Sequence, residues 1–438
     1  MARDLKRTFA ARWTTVALLG VALLPIAQAQ SFDWKRANGQ TINVLLNNHP
    51  WSQAMRELAK DFTAKTGVNV RLEILAEEPF RTRQQTLLQA RSKDVDVFMT
   101  LTMREGRLFD RAGWYENLGT LVSNPSKTAP DFDLPDFGKG LITGHSVDGK
   151  LIGLPINTEG PLFYWRKDIF AKCNIPEPQF LEDIPAAAKA LKACDANQGV
   201  WAARGLRITI PYAMGAFVRN LGGEWKTADG KPNLCTDKVI AGMEMYANLL
   251  KDYGPLGATN HSFPQVVELL GQGRIAMTHE SSNEFPNIMK FPGRDKDLGV
   301  KVLPKGKAAG VSVPVNFGWG IALSAASEKK DAGWYFIQWA TSKEVQTKLV
   351  ATGVAPPRSS VFAGPEMKKW SAEIPIRGDW ANAVNEISRT GTEVYQPPTE
   401  RIAEARERMG RAVQEIVLGQ KTPREAACEA NADVAKLQ

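Results

Sequence analysis

The residues with the most definite chemistry are four cysteines, Cys173, Cys194, Cys235 and Cys428. Their number is even and none stands in a Cys-x-x-Cys arrangement. His49, His145, His261 and His279 have no ligand spacing with them, so disulfides are expected and a metal site is not. Cys173 and Cys194 flank an apolar-periodic segment and close a short loop, which favours that pair and leaves Cys235 with Cys428. The sequence alone leaves three connectivities open.

Carboxylates come next. Glu77 with Glu78, and Glu280 with Glu284, are candidates for the two acids that glycoside hydrolysis requires across a scissile bond. Neighbouring surface acids are far commoner than catalytic pairs. For Glu78 and Glu280 the favoured role is accepting hydrogen bonds from ligand hydroxyls, with a secreted glycoside hydrolase as the alternative. Gly144–Lys150 (GHSVDGK) has the spacing of a phosphate loop, but Leu151 replaces the needed Ser or Thr and an apolar strand follows where a helix must start. Asp148-Gly149 is read as a hairpin turn instead. Tryptophan is plentiful. Trp334 and Trp339, on an apolar helix, are expected in the core. Trp51 and Trp319 follow polar turns (NNHPW, VNFGW) and could present indole faces to the C–H faces of a sugar.

Composition narrows the partners. Arg3, Lys6, Arg7 and Arg12 precede an apolar run from Trp13 to Ile26 and then Ala27-Gln28-Ala29, the pattern of a cleaved secretory signal over residues 1–29. Its removal takes away four basic residues and one acidic one, lowering the net charge from +8 to +5. No Cys stands at the cleavage site, so a free periplasmic protein of a Gram-negative cell is expected. The remaining charges are interspersed, which argues against nucleic acid as a partner. A mature chain of about 409 residues exceeds one hydrophobic core, so two domains are expected.

These residues need elements to position them. TINVLL (41–46) reads as a strand, Met55, Leu58, Ala59 and Phe62 fall on one helical face, and Gly67 suits a left-handed cap. VNVRLEIL (68–75) alternates as a second strand, completing a βαβ unit. Helical signals recur through Leu87 and Leu88, and around 186–192, 239–250, 266–270, 331–340 and 400–418. Strand signals fall at 95–99, 151–156, 275–278, 300–303 and 319–323. The chain is α/β, with a mostly parallel sheet expected.

The order of these features resembles the large sugar-binding family of extracellular solute-binding proteins that includes maltose-binding protein. FTAKTGVNV (62–70), the strand at 94–99 followed by GWYENL (113–118), and LPINTEGPLFYWRKDIF (154–170) carry the likeness. GRIAM (273–277), GVKVLP (299–304) and GWGIALS (318–324) continue it in the same order. Trp165 stands where an Asn is more usual. Within the family the chain is most similar to binders of sugars and sugar alcohols.

The resemblance implies a two-lobed periplasmic binding protein fold with a ligand cleft between lobes joined by crossing segments near 151–157, 298–306 and 325–335. Lobe one would comprise 30–153 plus 304–330, and lobe two 154–303 plus 331–438. Open α/β sheets bind ligands beyond the carboxyl ends of their strands. That rule selects Asn48 and Trp51 after the first strand, Glu78 after the second, and Thr100 and Thr102 after the third. The resemblance adds Glu159 at the first crossing. Glu280 and Asn283 follow GRIAM, and Asn316 with Trp319 complete the set. A monomer without cofactor is implied, closing over its ligand and presenting it to the permease subunits of an ABC importer. A polyamine, organic acid or opine is the alternative ligand, and for an acid Arg207 or Arg358 would supply the charge.

Overall fold

The computed structural model describes residues 31–437, so the leader expected over 1–29 lies outside the described residues. β1 (Thr41–Asn47) leads into α1 (Pro50–Thr66), which returns the chain to β2 (Asn69–Leu75), parallel to β1. His49 caps α1, its Nδ1 accepting the Trp51 N–H at 3.1 Å, and Pro50 occupies a first-turn position that needs no donor. α1 buries Trp51, Met55 and Phe62 and ends at Gly67, whose φ of 75° is the left-handed cap its sequence suggests. α2 (Glu77–Gln89) then carries the chain to β3 (Val97–Thr100), on the other side of β1.

β4 (Ser146–Val147) and β5 (Lys150–Leu151) form a hairpin whose turn residues, Asp148 and Gly149, both have positive φ, the primed-turn geometry of a two-residue loop. β6 (Leu154–Pro155) belongs to the first sheet. β7 (Pro161–Arg166), β8 (Gly199–Ala202), β9 (Ile275–Ser281) and β10 (Leu298–Lys301) make a second sheet, ordered β10-β7-β9-β8. β11 (Gly320–Leu323) returns to the first, ordered β2-β1-β3-β11-β6.

The sheets are mixed, which corrects the expectation of mostly parallel pairing. Three neighbour pairs are parallel and four antiparallel. The antiparallel pairs all involve β6, β7, β10 or β11, the strands on which the chain passes from one sheet to the other. A strand arriving from the other sheet enters without a crossover helix, so nothing obliges it to run parallel. The helix Lys330–Ala340, assigned by resemblance to the second lobe from residue 331, packs on β11 and β1. Trp334, Phe336 and Ile337 are wholly buried there, and Trp339 nearly so, in line with the core role expected for both tryptophans.

Helices at Ile210–Asn220, Lys343–Val350, Pro365–Ala372, Pro375–Thr390 and Pro423–Ala435 were not among those expected from the sequence. The first has Pro211 in its opening turn and Gly215 at its middle, residues that a reading by propensity scores against helix. Cys173–Cys194 and Cys235–Cys428 are both disulfide-bonded, the favoured pairing. The second bond fastens the helix Pro423–Ala435 beside the start of the helix Asp237–Tyr253. Among the described residues no helix is long and apolar enough to cross a membrane.

Candidate ligand-binding site

The segments that follow β1, β2 and β3 of the first sheet and β8 and β9 of the second meet at one cavity. Antiparallel pairing adds two more side chains. β11 opposes β3, with Gly320 beside Thr100, so its amino end lies at the cavity and Trp319 lines it. β7 opposes β9, with Pro161 beside Ser281, and Glu159 arrives the same way. Glu159 and Phe317 exchange backbone hydrogen bonds of 2.8 Å, so the two crossing segments touch here. Gly318 permits this approach, because a Cβ on it would lie 2.2 Å from the Asn157 carbonyl oxygen.

The walls are strongly charged. Glu77 opens α2, and Arg81, one turn on, donates to it through Nη2 at 2.7 Å and to Glu105 through Nη1 at 3.0 Å. Arg104 stands on a π turn, Thr102–Gly106, straight after β3, and reaches Glu77 at 3.3 Å. Burial alone would raise the Glu77 carboxyl, but Arg81 and Arg104 more than offset it and hold it at about 2. From the second sheet, Arg204 follows β8, lies over the Tyr212 ring at 4.4 Å, and is gripped from behind by Glu280. Arg406 enters from the helix Ile402–Val417.

Acceptors gather beside β9. Glu159 takes hydrogen bonds from Asn157 Nδ2 at 2.9 Å and Ser281 Oγ at 2.7 Å. Glu284 is buried and accepts from Asn287 at 2.8 Å. Its burial, reinforced by Glu280 and opposed by the Asn287 bond, pushes the carboxyl up to about 7. His49 Nε2 lies 2.7 Å from the Asn283 amide and 3.7 Å from Glu159, joining the end of β1 to the end of β9. Two buried atoms on the walls, Asn47 Oδ1 and Tyr212 Oη, have no hydrogen-bond partner among the described residues.

Of the residues expected at the site, Asn48, Glu159, Asn283 and Trp319 line the cavity. The others lie elsewhere. Trp51 is wholly buried in the core beneath α1, because the helix has already begun at Pro50, and the capping His49 faces the cavity in its place. Glu78 is exposed to solvent and Glu77 faces inward, since successive helical residues point about 100° apart. Thr100 is buried with its hydroxyl 2.6 Å from that of Tyr115, and Thr102 packs against Gly106. Glu280 is buried behind Arg204, so it supports the wall rather than lining it. Asn316 opens on a separate hollow with Thr158 and Pro356. Neither Arg207 nor Arg358 reaches the cavity. Arg358 is wholly buried and donates to the carbonyls of Thr341, Asp133 and Phe132, while Arg207 is bonded to Gln414 and Glu407.

Sequence reasoning missed His49, Glu77, Arg81, Arg104, Arg204 and Arg406. All but Arg81 and Arg406 stand within a few residues of a strand's carboxyl end, so a wider window there would have found them. For Arg406 the sequence offers no local signal.

Two sheets that share one polar, aromatic-walled cavity define a ligand-binding protein of two lobes. Comparison with known proteins agrees: the chain belongs to the bacterial extracellular solute-binding protein family, whose model matches residues 48–347. It is 30% identical over 356 residues to an erythritol/L-threitol-binding protein of Mycolicibacterium smegmatis, covering 76% of this chain and 73% of that one. It is 27% identical to a mannitol-binding protein of Pseudomonas aeruginosa, over 74% and 75% of the two chains. Among solved structures, a solute-binding protein from Agrobacterium radiobacter in complex with ribitol superposes with a TM-score of 0.81 at 23% identity, covering 92% of this chain and all of that one. The family is one of transport-associated binding proteins, not enzymes, and the glycoside hydrolase alternative is set aside.

Proposed function

We propose that this chain captures a sugar or sugar alcohol in the cavity between its sheets and presents it to the permease subunits of an ABC importer, working in the periplasm after loss of residues 1–29. The observation that carries the ligand class is the lining of that cavity, where the amides of Asn47, Asn48 and Asn283 and the carboxylates of Glu159 and Glu284 stand with aromatic side chains. Trp319, Phe263 and Phe317 line the same cavity. Hydroxyls satisfy the polar groups and C–H faces meet the aromatic ones. The relatives named for erythritol, threitol and mannitol support the same class.

Lobe one comprises 30–153 and 304–330, joined by β6 through the first sheet and by the helix Lys330–Ala340 that rides on it, and lobe two the remainder. Ligand that touches both lobes favours the closed arrangement by its difference in affinity for the two states. The closed shape is what the permease reads.

Thermal-shift screening against sugars, alditols, amines and organic acids tests the reading, because a ligand of the native state stabilises by about 2.7 kcal/mol at a hundred times its Kd. At least one hydroxylated compound raises Tm and is recovered chemically unchanged. Stabilisation by amines alone, or by nothing hydroxylated, overturns it.

A further inference from the structure

The guanidinium groups of the cavity are unequally partnered. Arg81 spends its donors on Glu77 and Glu105, and Arg204 spends one edge on Glu280. Arg104 makes a single hydrogen bond, 3.3 Å to the Glu77 oxygen that Arg81 already holds. Arg406, only 4% exposed, donates Nε to the Ile208 carbonyl at 2.7 Å, and its two terminal nitrogens have no hydrogen-bond partner among the described residues. Both line the cavity, and the helix bearing Arg406 packs on the π turn bearing Arg104. At this end Arg81, Arg104 and Arg406 face two carboxylates, Glu77 and Glu105, one of them shared. A buried guanidinium without its own carboxylate is costly unless an anion arrives to meet it.

The charges respond accordingly. Burial, then the repulsion of Arg81 and Arg406, lowers Arg104 to about 9, and burial lowers Arg406 as well, with Arg81 adding to the effect. Of the carboxylates left for hydroxyl recognition, Glu284 is raised by burial, with Glu280 and Glu159 adding to it and the Asn287 bond and Arg204 opposing. The cavity thus has a cationic end and an end rich in acceptors.

We infer that the ligand carries an anionic group, a carboxylate or a phosphate, on its hydroxylated chain, and that Arg104 and Arg406 clamp that group between the turn after β3 and the helix Ile402–Val417. Guanidinium forks suit either anion, since both offer paired oxygens to parallel N–H groups. The hydroxyls of the same molecule extend toward Glu159 and Asn283. The inference rests on the reading of the cavity as a site for a hydroxylated ligand and narrows it to an acid of that class.

Titration calorimetry on the mature protein with matched compounds decides it: C4 to C6 alditols, the aldonates of the same carbon number, and the alditol phosphates. One anionic series binds about ten-fold or more tightly than its neutral counterpart, and whether aldonate or phosphate wins identifies the group. Arg406→Gln and Arg104→Gln each lower the ratio of anion affinity to alditol affinity by about ten-fold. Neutral alditols that bind as tightly as both anions, or a ratio unchanged in both variants, overturn the anion clamp while leaving the sugar-alcohol reading intact. Binding of no compound in the panel overturns the clamp, and the thermal-shift screen against sugars then decides the reading beneath it.

Discussion

Arg204 and Glu280 show how a buried charge serves a binding wall without touching what is bound. The carboxylate is wholly buried and holds the guanidinium through Nε at 3.0 Å, while the Arg204 carbonyl accepts from Tyr246 at 2.6 Å. Glu280→Ala strands a buried guanidinium, and equilibrium urea unfolding should show a loss of about 3–5 kcal/mol. Glu284 behaves differently. Its carboxyl, raised from 4.5 to about 7 chiefly by burial, takes up a proton on folding. The native state is therefore favoured most below pH 4.5 and loses on the order of 3 kcal/mol as pH rises to 7. Glu393, also raised to about 7 by burial, adds to the slope in the same window. Melting curves of Glu284→Gln between pH 4.5 and 7.5 fall less steeply with pH than those of the unaltered protein; an unchanged slope contradicts the assignment. At this scale the sequence revealed neighbourhoods better than side chains. The strand-end rule reached Asn48 and Asn283 but chose Glu78 over Glu77 and Trp51 over His49. Both misses sit where a helix begins, and there the first-turn geometry decides which neighbour faces the cleft.

The elements matter through the direction in which they run. β7 and β11 lie antiparallel to β9 and β3, so the residues before them, Glu159 and Trp319, arrive at the same edge as residues after the parallel strands. The periodicity of the sequence marked most strands and could not give their direction, because alternation is the same whichever way a strand points. The hairpin at Asp148-Gly149 and the cap at Gly67 were legible, since both depend on local backbone conformation alone. The helix Ile210–Asn220 was not, because Pro211 and Gly215 in so short a segment read as breakers, and only packing overrides them. The contact between the crossing segments depends on Gly318. Gly318→Ala forces a methyl to within 2.2 Å of the Asn157 oxygen unless the segments part. We expect about 1–3 kcal/mol of destabilisation by urea unfolding, with weakened ligand binding, because Trp319 and Glu159 move with those segments.

At the scale of the whole molecule, two sheets are joined where the chain passes from Pro155 to Pro161 and returns from Lys301 to Gly320. The collinear order of family-like segments made this division readable, whereas the approach of Arg406 to Arg104, some 300 residues apart in sequence, belongs to tertiary structure alone. The central claim is that both sheets hold one ligand. His49 and Asn283, drawn to 2.7 Å from opposite sides, already span the cavity. The most direct measurement is the calorimetric affinity of the mature protein for its best hydroxylated ligand, set against Asn48→Ala on the first side and Asn283→Ala on the second. Each substitution should weaken binding by about ten-fold or more. Full affinity in either variant would show that one lobe binds alone and would contradict a cleft shared by both.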